Sequence, residues 1–94
     1  MKLLVAIAAA SMSLVAAAPA QSQEALAKSA GCLNCHAVDS KKVGPSFKDI
    51  AAKNKGNADA EAKLVKEIST GSGHPKVNAK EDDVKSLVKW VLSQ

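Results

Sequence analysis

The stretch that decides the fold is Cys32-Leu33-Asn34-Cys35-His36, "CLNCH", which holds the only two cysteines of the 94-residue chain. Two residues separate the thiols, and a histidine follows the second. Three chemistries use Cys and His this close together: a zinc site, a thiol–disulfide redox pair, and covalent haem attachment. Tetrahedral zinc takes four ligands, in pairs at set spacing. Here there is one cysteine pair, and the two histidines, His36 and His74, are thirty-eight residues apart. Redox dithiols sit where a strand of a βαβ unit meets a helix, and no strand-like alternation is visible. A structural disulfide across a two-residue gap closes a small, strained loop. Haem attachment uses every residue of the stretch. Two thiols add across the two vinyl groups of one porphyrin edge, and the spacer on a helical turn sets their separation. The histidine then brings an imidazole beneath the ring, within reach of the iron.

Working outward, the beginning of the chain reads as a secretory signal peptide over residues 1–20. Lys2 gives a positive start, Leu3 to Ala18 is apolar apart from Ser11, Met12 and Ser13, and Ala18-Pro19-Ala20 is an A-x-A cleavage signature. The apolar run is shorter than the roughly 20 residues of a membrane span, so stable membrane insertion is not expected. The remaining domain, residues 21–94, is small. Chains of this size usually need disulfides, metals or cofactors to complete a core. Its only aromatics are Phe47 and Trp90, there is no Tyr, and its aliphatic residues are largely Ala and Val. Such a core asks for a large apolar group to fill it. All basic side chains are Lys; without Lys2 there are twelve against nine acids, a formal charge of +3. They are scattered, with no basic run and no aromatic interleaving, which excludes a nucleic-acid interface as the reading.

The fold class is all-α. A short helix is expected over Glu24–Ala30, with Leu26 and Ala30 on one face, ended by Gly31. Ala37 to Gly44 reads as loop. A second helix opens at Pro45 or Ser46 and runs to about Lys53. "NKGN" (Asn54–Asn57) breaks the chain, and Asn57 is the expected N-cap of a third helix, Ala58–Thr70, with the stripe Leu64, Val65 and Ile68. Gly71-Ser72-Gly73 stops it. Asn78 and Glu81 have capping-box spacing ahead of a last helix, Lys80–Leu92, carrying Val84, Leu87, Val88, Trp90 and Val91.

With these elements in place the chain resembles the small bacterial class I cytochromes c, the short soluble monohaem kind. The resemblance rests on "GCLNCHAVDSKKVGPSFKDIAAK" (Gly31–Lys53) and "VKSLVKWVLSQ" (Val84–Gln94), and it covers nearly all of residues 21–94. It implies about four short helices wrapped around one covalent haem c. Cys32 and Cys35 would form the thioethers and His36 the proximal iron ligand. The carbonyl of Pro45 would accept the imidazole N–H and orient it, Gly31 and Leu87 would meet where the first and last helices cross, and Trp90 would pack on the haem side of the core. Ala27 and Phe47 stand where the family often has other aromatics.

The chain departs from the family at the sixth iron ligand. The usual Met-Pro pair is missing, and the only methionines are Met1 and Met12, both in the leader. His74-Pro75 occupies that register, in a loop shorter than in close relatives. His74 is therefore the candidate second axial ligand, with an open position or Lys76, Asn78 or Lys80 as alternatives. A second imidazole lowers the reduction potential relative to His/Met iron. The expected function is electron transfer in the periplasm with redox partner proteins, as a monomer or weak dimer. Lys28, Lys41, Lys42 and Lys76 are candidates to steer acidic partners. No catalytic constellation points to an enzyme. Two other readings stay open: a sensor that binds small ligands such as NO, CO or O2 at an open or labile sixth position, and the haem subunit of a larger oxidoreductase.

Overall fold

A computed structural model describes residues 22–94; the signal peptide read over residues 1–20 lies outside the described residues. Four α-helices and one 3₁₀ turn make up the regular structure. They are α1 (Gln23–Ser29), the 3₁₀ turn (Cys32–Asn34), α2 (Phe47–Lys53), α3 (Ala60–Thr70) and α4 (Glu81–Leu92). Helix α4 is the hub, packing against α1, α2 and α3.

The helix starts follow from their caps. The Ser22 and Ser46 hydroxyls accept the backbone N–H of Ala25 and Asp49, each at 3.1 Å. An N-cap of this kind stabilises a helix by about 1 kcal/mol. Ser46 is also the one buried polar residue of the described chain, so its hydroxyl bond matters more than an exposed cap would. Two expected caps are not formed. Asn57 turns its Oδ1 to the Asp59 N–H at 3.0 Å, an Asx turn that holds residues 57–59 in a turn. Helix α3 therefore begins at Ala60 rather than Ala58. Asn78 makes no capping box with Glu81. Lys80 takes the N-cap position with extended dihedrals, φ −61° and ψ 146°, which leaves Glu81 as the first helical residue. The capping box needs its acid at the third helical position. The first-turn acids Glu81, Asp82 and Asp83 instead favour the helix dipole.

The core is small. Val65, Val84 and Val88 form its centre, with Leu64, Ile68, Ala79 and Leu92 packed around them. Ala27, Phe47, Ala60 and Leu87 are also buried. The buried residue of α1 is Ala27, and Leu26 and Ala30 are half-buried. Burying a Val or Leu side chain contributes about 1.5–3 kcal/mol, so each member of so short a set carries a sizeable share. Gly31 ends α1 at φ 86°, in the left-handed region that glycine enters without penalty. A Cβ added there would meet only the Asn34 amide, at 3.6 Å. The glycine is thus required for its backbone conformation, not for a close approach to Leu87.

Candidate functional site

The site begins with the 3₁₀ turn. Its tight winding puts Cys32 and Cys35 on consecutive turns of chain, and the backbone N–H groups of Cys35 and His36 both donate to the Cys32 carbonyl, at 3.2 and 3.0 Å. Both thiols are free and half-buried. Burial pushes the Cys32 thiol up from its ordinary value, partly offset by a hydrogen bond from its own backbone. A raised thiol stays protonated near neutral pH.

Residues 37–48 fold back over this turn. Gly44 N–H donates to the Cys35 carbonyl at 2.8 Å, Phe47 N–H to Ala37 at 2.9 Å and Lys48 N–H to Val38 at 3.1 Å. The Lys42 ammonium adds a bond to the Leu33 carbonyl at 3.1 Å. This closure brings the Pro45 carbonyl to 2.6 Å from His36 Nδ1. A carbonyl can only accept, so Nδ1 carries the proton and Nε2 is left with its lone pair. The ring is confined from two further sides. Phe47 stacks on it with centroids 5.4 Å apart, and Trp90 meets Phe47 edge-on at 5.4 Å. Gly44 faces the imidazole so closely that an added Cβ would lie 2.5 Å from Cε1 and 2.8 Å from Nδ1.

His74 lies on the loop between α3 and α4. Its ring lies 6.1 Å from that of His36, with only 3° between their planes. His74 Nδ1 donates to the Pro75 carbonyl at 2.7 Å, so its Nε2 is also unprotonated. These facts test whether the residues fit an iron porphyrin. With metal–imidazole bonds of about 2 Å and ring nitrogens about 1.1 Å from their centres, two imidazoles on opposite sides of one ion have centroids roughly 6.2 Å apart. The observed separation agrees. Among the described residues there is no group of three or more His, Cys, Asp or Glu side chains able to hold a metal ion by themselves, which removes the tetrahedral zinc arrangement. The donor set fits a haem iron between two imidazoles, with two thiols at its margin.

Of the residues singled out in the sequence, the structure brings together Cys32, Cys35, His36, Pro45 and His74, with Trp90 one ring further out behind Phe47. Lys76, Asn78 and Lys80 lie exposed along the same loop as His74. Two contributors carry more than the sequence shows. Gly44 ends the stretch that reads as loop, yet it makes room for the imidazole; its place immediately before Pro45 is the available signal. Phe47 reads in the sequence as a position where the family often has another aromatic, and nothing in its spacing shows that it backs His36.

Comparison with known proteins identifies the family. Residues 21–94 match the family model described as cytochrome c. The chain is 45% identical over 82 residues to cytochrome c-551 of Pseudomonas aeruginosa, covering 80% of this chain and 79% of the relative. It is 39% identical over 92 residues to cytochrome c-552 of Nitrosomonas europaea, covering 89% of each. Among solved structures it is similar to the class 1 cytochrome MtoD of Sideroxydans lithotrophicus ES-1, with a TM-score of 0.69 and 38% identity over 76% of this chain and 90% of that one. Wild-type cytochrome c552 of Nitrosomonas europaea gives a TM-score of 0.66 and 41% identity over 72% of this chain and 94% of that one.

Proposed function

This chain belongs to the cytochrome c family, and from that premise we propose that it is a periplasmic electron carrier whose iron is held by two histidines, His36 and His74. Its fold is the all-α cytochrome c fold, its cofactor is a covalently attached haem c, and its activity is electron transfer. Cys32 and Cys35 are the attachment points in this reading. The bound haem supplies an iron that cycles between Fe(III) and Fe(II). The chain's own residues set how easily it does so.

Pro45 fixes the tautomer and plane of His36, and a hydrogen-bonded imidazole is a more basic ligand. Phe47 stacks on the ring and Gly44 lies close against it, so its position need not change between oxidation states. His74 supplies a second nitrogen donor where relatives use a thioether. A stronger donor favours Fe(III), so the reduction potential is lower than with His/Met ligation. The observation that carries this reading is the pair of parallel imidazoles, with centroids 6.1 Å apart and 3° between their planes, each with its Nδ1 proton committed to a carbonyl.

The leader-like residues 1–20 support export, with 21–94 as the functional domain. No helix among the described residues is long and apolar enough to cross a membrane. Lys28, Lys41 and Lys76 are exposed and suited to steer acidic redox partners, whereas the Lys42 ammonium is engaged with Leu33. The test is spectroscopic. Oxidised and reduced protein should both be six-coordinate and low-spin without a sulfur-to-iron band, and His74→Ala should lose the low-spin state. A sulfur-to-iron band, or an unchanged spectrum in His74→Ala, would refute bis-histidine ligation.

A further inference from the structure

The lysine ammonium groups of this chain are placed in different ways. Those of Lys48, Lys85 and Lys89 lie on carboxylates, of Asp39 at 2.6 Å, of Glu81 at 3.6 Å and of Glu61 at 3.9 Å. In each pair one charge offsets the other. Lys42 is different. Among the described residues it is the one lysine whose ammonium donates to a backbone carbonyl, that of Leu33 at 3.1 Å. Leu33 is one of the two residues between Cys32 and Cys35. A positive charge is therefore held on the attachment turn by a neutral group, which does not cancel it.

The other end of the side chain is fixed as well. The Lys42 N–H donates to the Gly44 carbonyl at 3.1 Å, and the Gly44 N–H donates to the Cys35 carbonyl at 2.8 Å. The next residue, Pro45, accepts from His36 Nδ1 at 2.6 Å. Residues 42–45 thus meet the turn at Leu33, Cys35 and His36. A lysine side chain in solvent samples many rotamers, whereas this one is anchored at both ends. Lys42 is exposed, so solvent weakens its field but does not abolish it.

We propose that Lys42 tunes the redox centre: its anchored ammonium raises the reduction potential of the haem iron. This rests on the attachment through Cys32 and Cys35 proposed above, and not on what binds opposite His36. The sign follows from charge. Oxidised iron carries one more positive charge than reduced iron, so a fixed cation nearby disfavours Fe(III) and favours Fe(II). Only the electron supplied by the redox partner moves; the ammonium keeps its proton in both states. A purely mechanical role has the opposite signature. Loosening residues 42–45 would weaken the bond from His36 to Pro45, leave a poorer donor and raise the potential. Removing the charge lowers it.

Redox titration of the holoprotein at low ionic strength compares Lys42→Gln, Lys42→Arg and Lys41→Gln with the wild type. Lys42→Gln keeps a side-chain N–H donor and loses the charge. At a fixed solution potential its oxidised-to-reduced ratio should rise about two- to fivefold, the order expected of one unit charge in a largely aqueous setting. Lys42→Arg keeps both charge and donor and should restore the wild-type ratio. Lys41→Gln makes the same charge change one residue away and should shift the ratio less than half as much. The Lys42→Gln shift should shrink as salt rises. An unchanged ratio in Lys42→Gln, or a shift matched by Lys41→Gln, would overturn the proposal. So would a ratio that falls, which is the mechanical sign, or a Lys42→Arg variant that behaves like Lys42→Gln. Haem that acid–acetone strips from the wild-type protein would instead sink attachment through the two cysteines, and the role of Lys42 with it.

Discussion

Gly44→Ala tests most directly how the chain holds the His36 imidazole. Gly44 lies outside the positive-φ region, and its added Cβ would fall 2.5 Å from Cε1 of His36. Carbon atoms in good contact stand about 3.5–4.0 Å apart, so the ring must retreat by roughly 1 Å. It is already stacked on Phe47 with centroids 5.4 Å apart and bonded to Pro45 at 2.6 Å. A shift of that size stretches the hydrogen bond past useful length. Overpacking costs about 1–3 kcal/mol and the lost bond about 0.5–1.5 kcal/mol. The sum is a loss of about 1.5–4.5 kcal/mol, enough to lower the melting temperature of so small a domain by roughly 6 °C or more. The imidazole also becomes a poorer donor, so the reduction potential should rise. Gly56→Ala is the matched control. Nothing lies within 4 Å of its added Cβ, but its φ is 78°. Its cost is backbone strain alone, about 1 kcal/mol, with no change in potential. Thermal unfolding followed by haem absorbance, together with redox titration, compares the two variants. If Gly44→Ala loses no more stability than Gly56→Ala and keeps the wild-type potential, the steric account of the proximal side is wrong.

Three further outcomes are expected. Ser46→Ala removes a buried cap and should lose about 1 kcal/mol, read by denaturant unfolding with an unchanged visible spectrum. Ser69→Ala should be neutral or slightly stabilising by the same assay, because the buried Ser69 Oγ has no hydrogen-bond partner and replacing an unsatisfied hydroxyl removes its desolvation cost. Charge reversal at Lys28 and Lys76 should slow electron exchange with an acidic partner at low salt, with the difference fading as ionic strength rises; a salt-independent difference would argue against steering.

The haem chemistry was legible because it is local. Two thiols and an imidazole within five residues satisfy one chemical demand that zinc and disulfide readings do not. The helices were legible for the same reason: Val84, Leu87 and Val88 announce the buried face of α4 by spacing alone, and all three are buried. Helix starts were less so. Asn57 and Asn78 both look like caps, yet one spends its side chain on an Asx turn and the other lies two residues too early. A cap is defined by backbone dihedrals that neighbours in space help to set.

By itself, then, the order of residues determined that this is a small helical cytochrome c with a covalent haem and no methionine after residue 12. What only the folded chain decided is how His36 and His74 stand. Thirty-eight residues of sequence carry no information about an interplanar angle of 3°, or about a glycine that leaves room for an imidazole. These depend on the loop over Cys35 being closed by bonds between residues distant in sequence, while the loop bearing His74 is tied back to Glu67 and Ile68 of α3. Such bonds form between groups that only the packing of α2, α3 and α4 brings within reach.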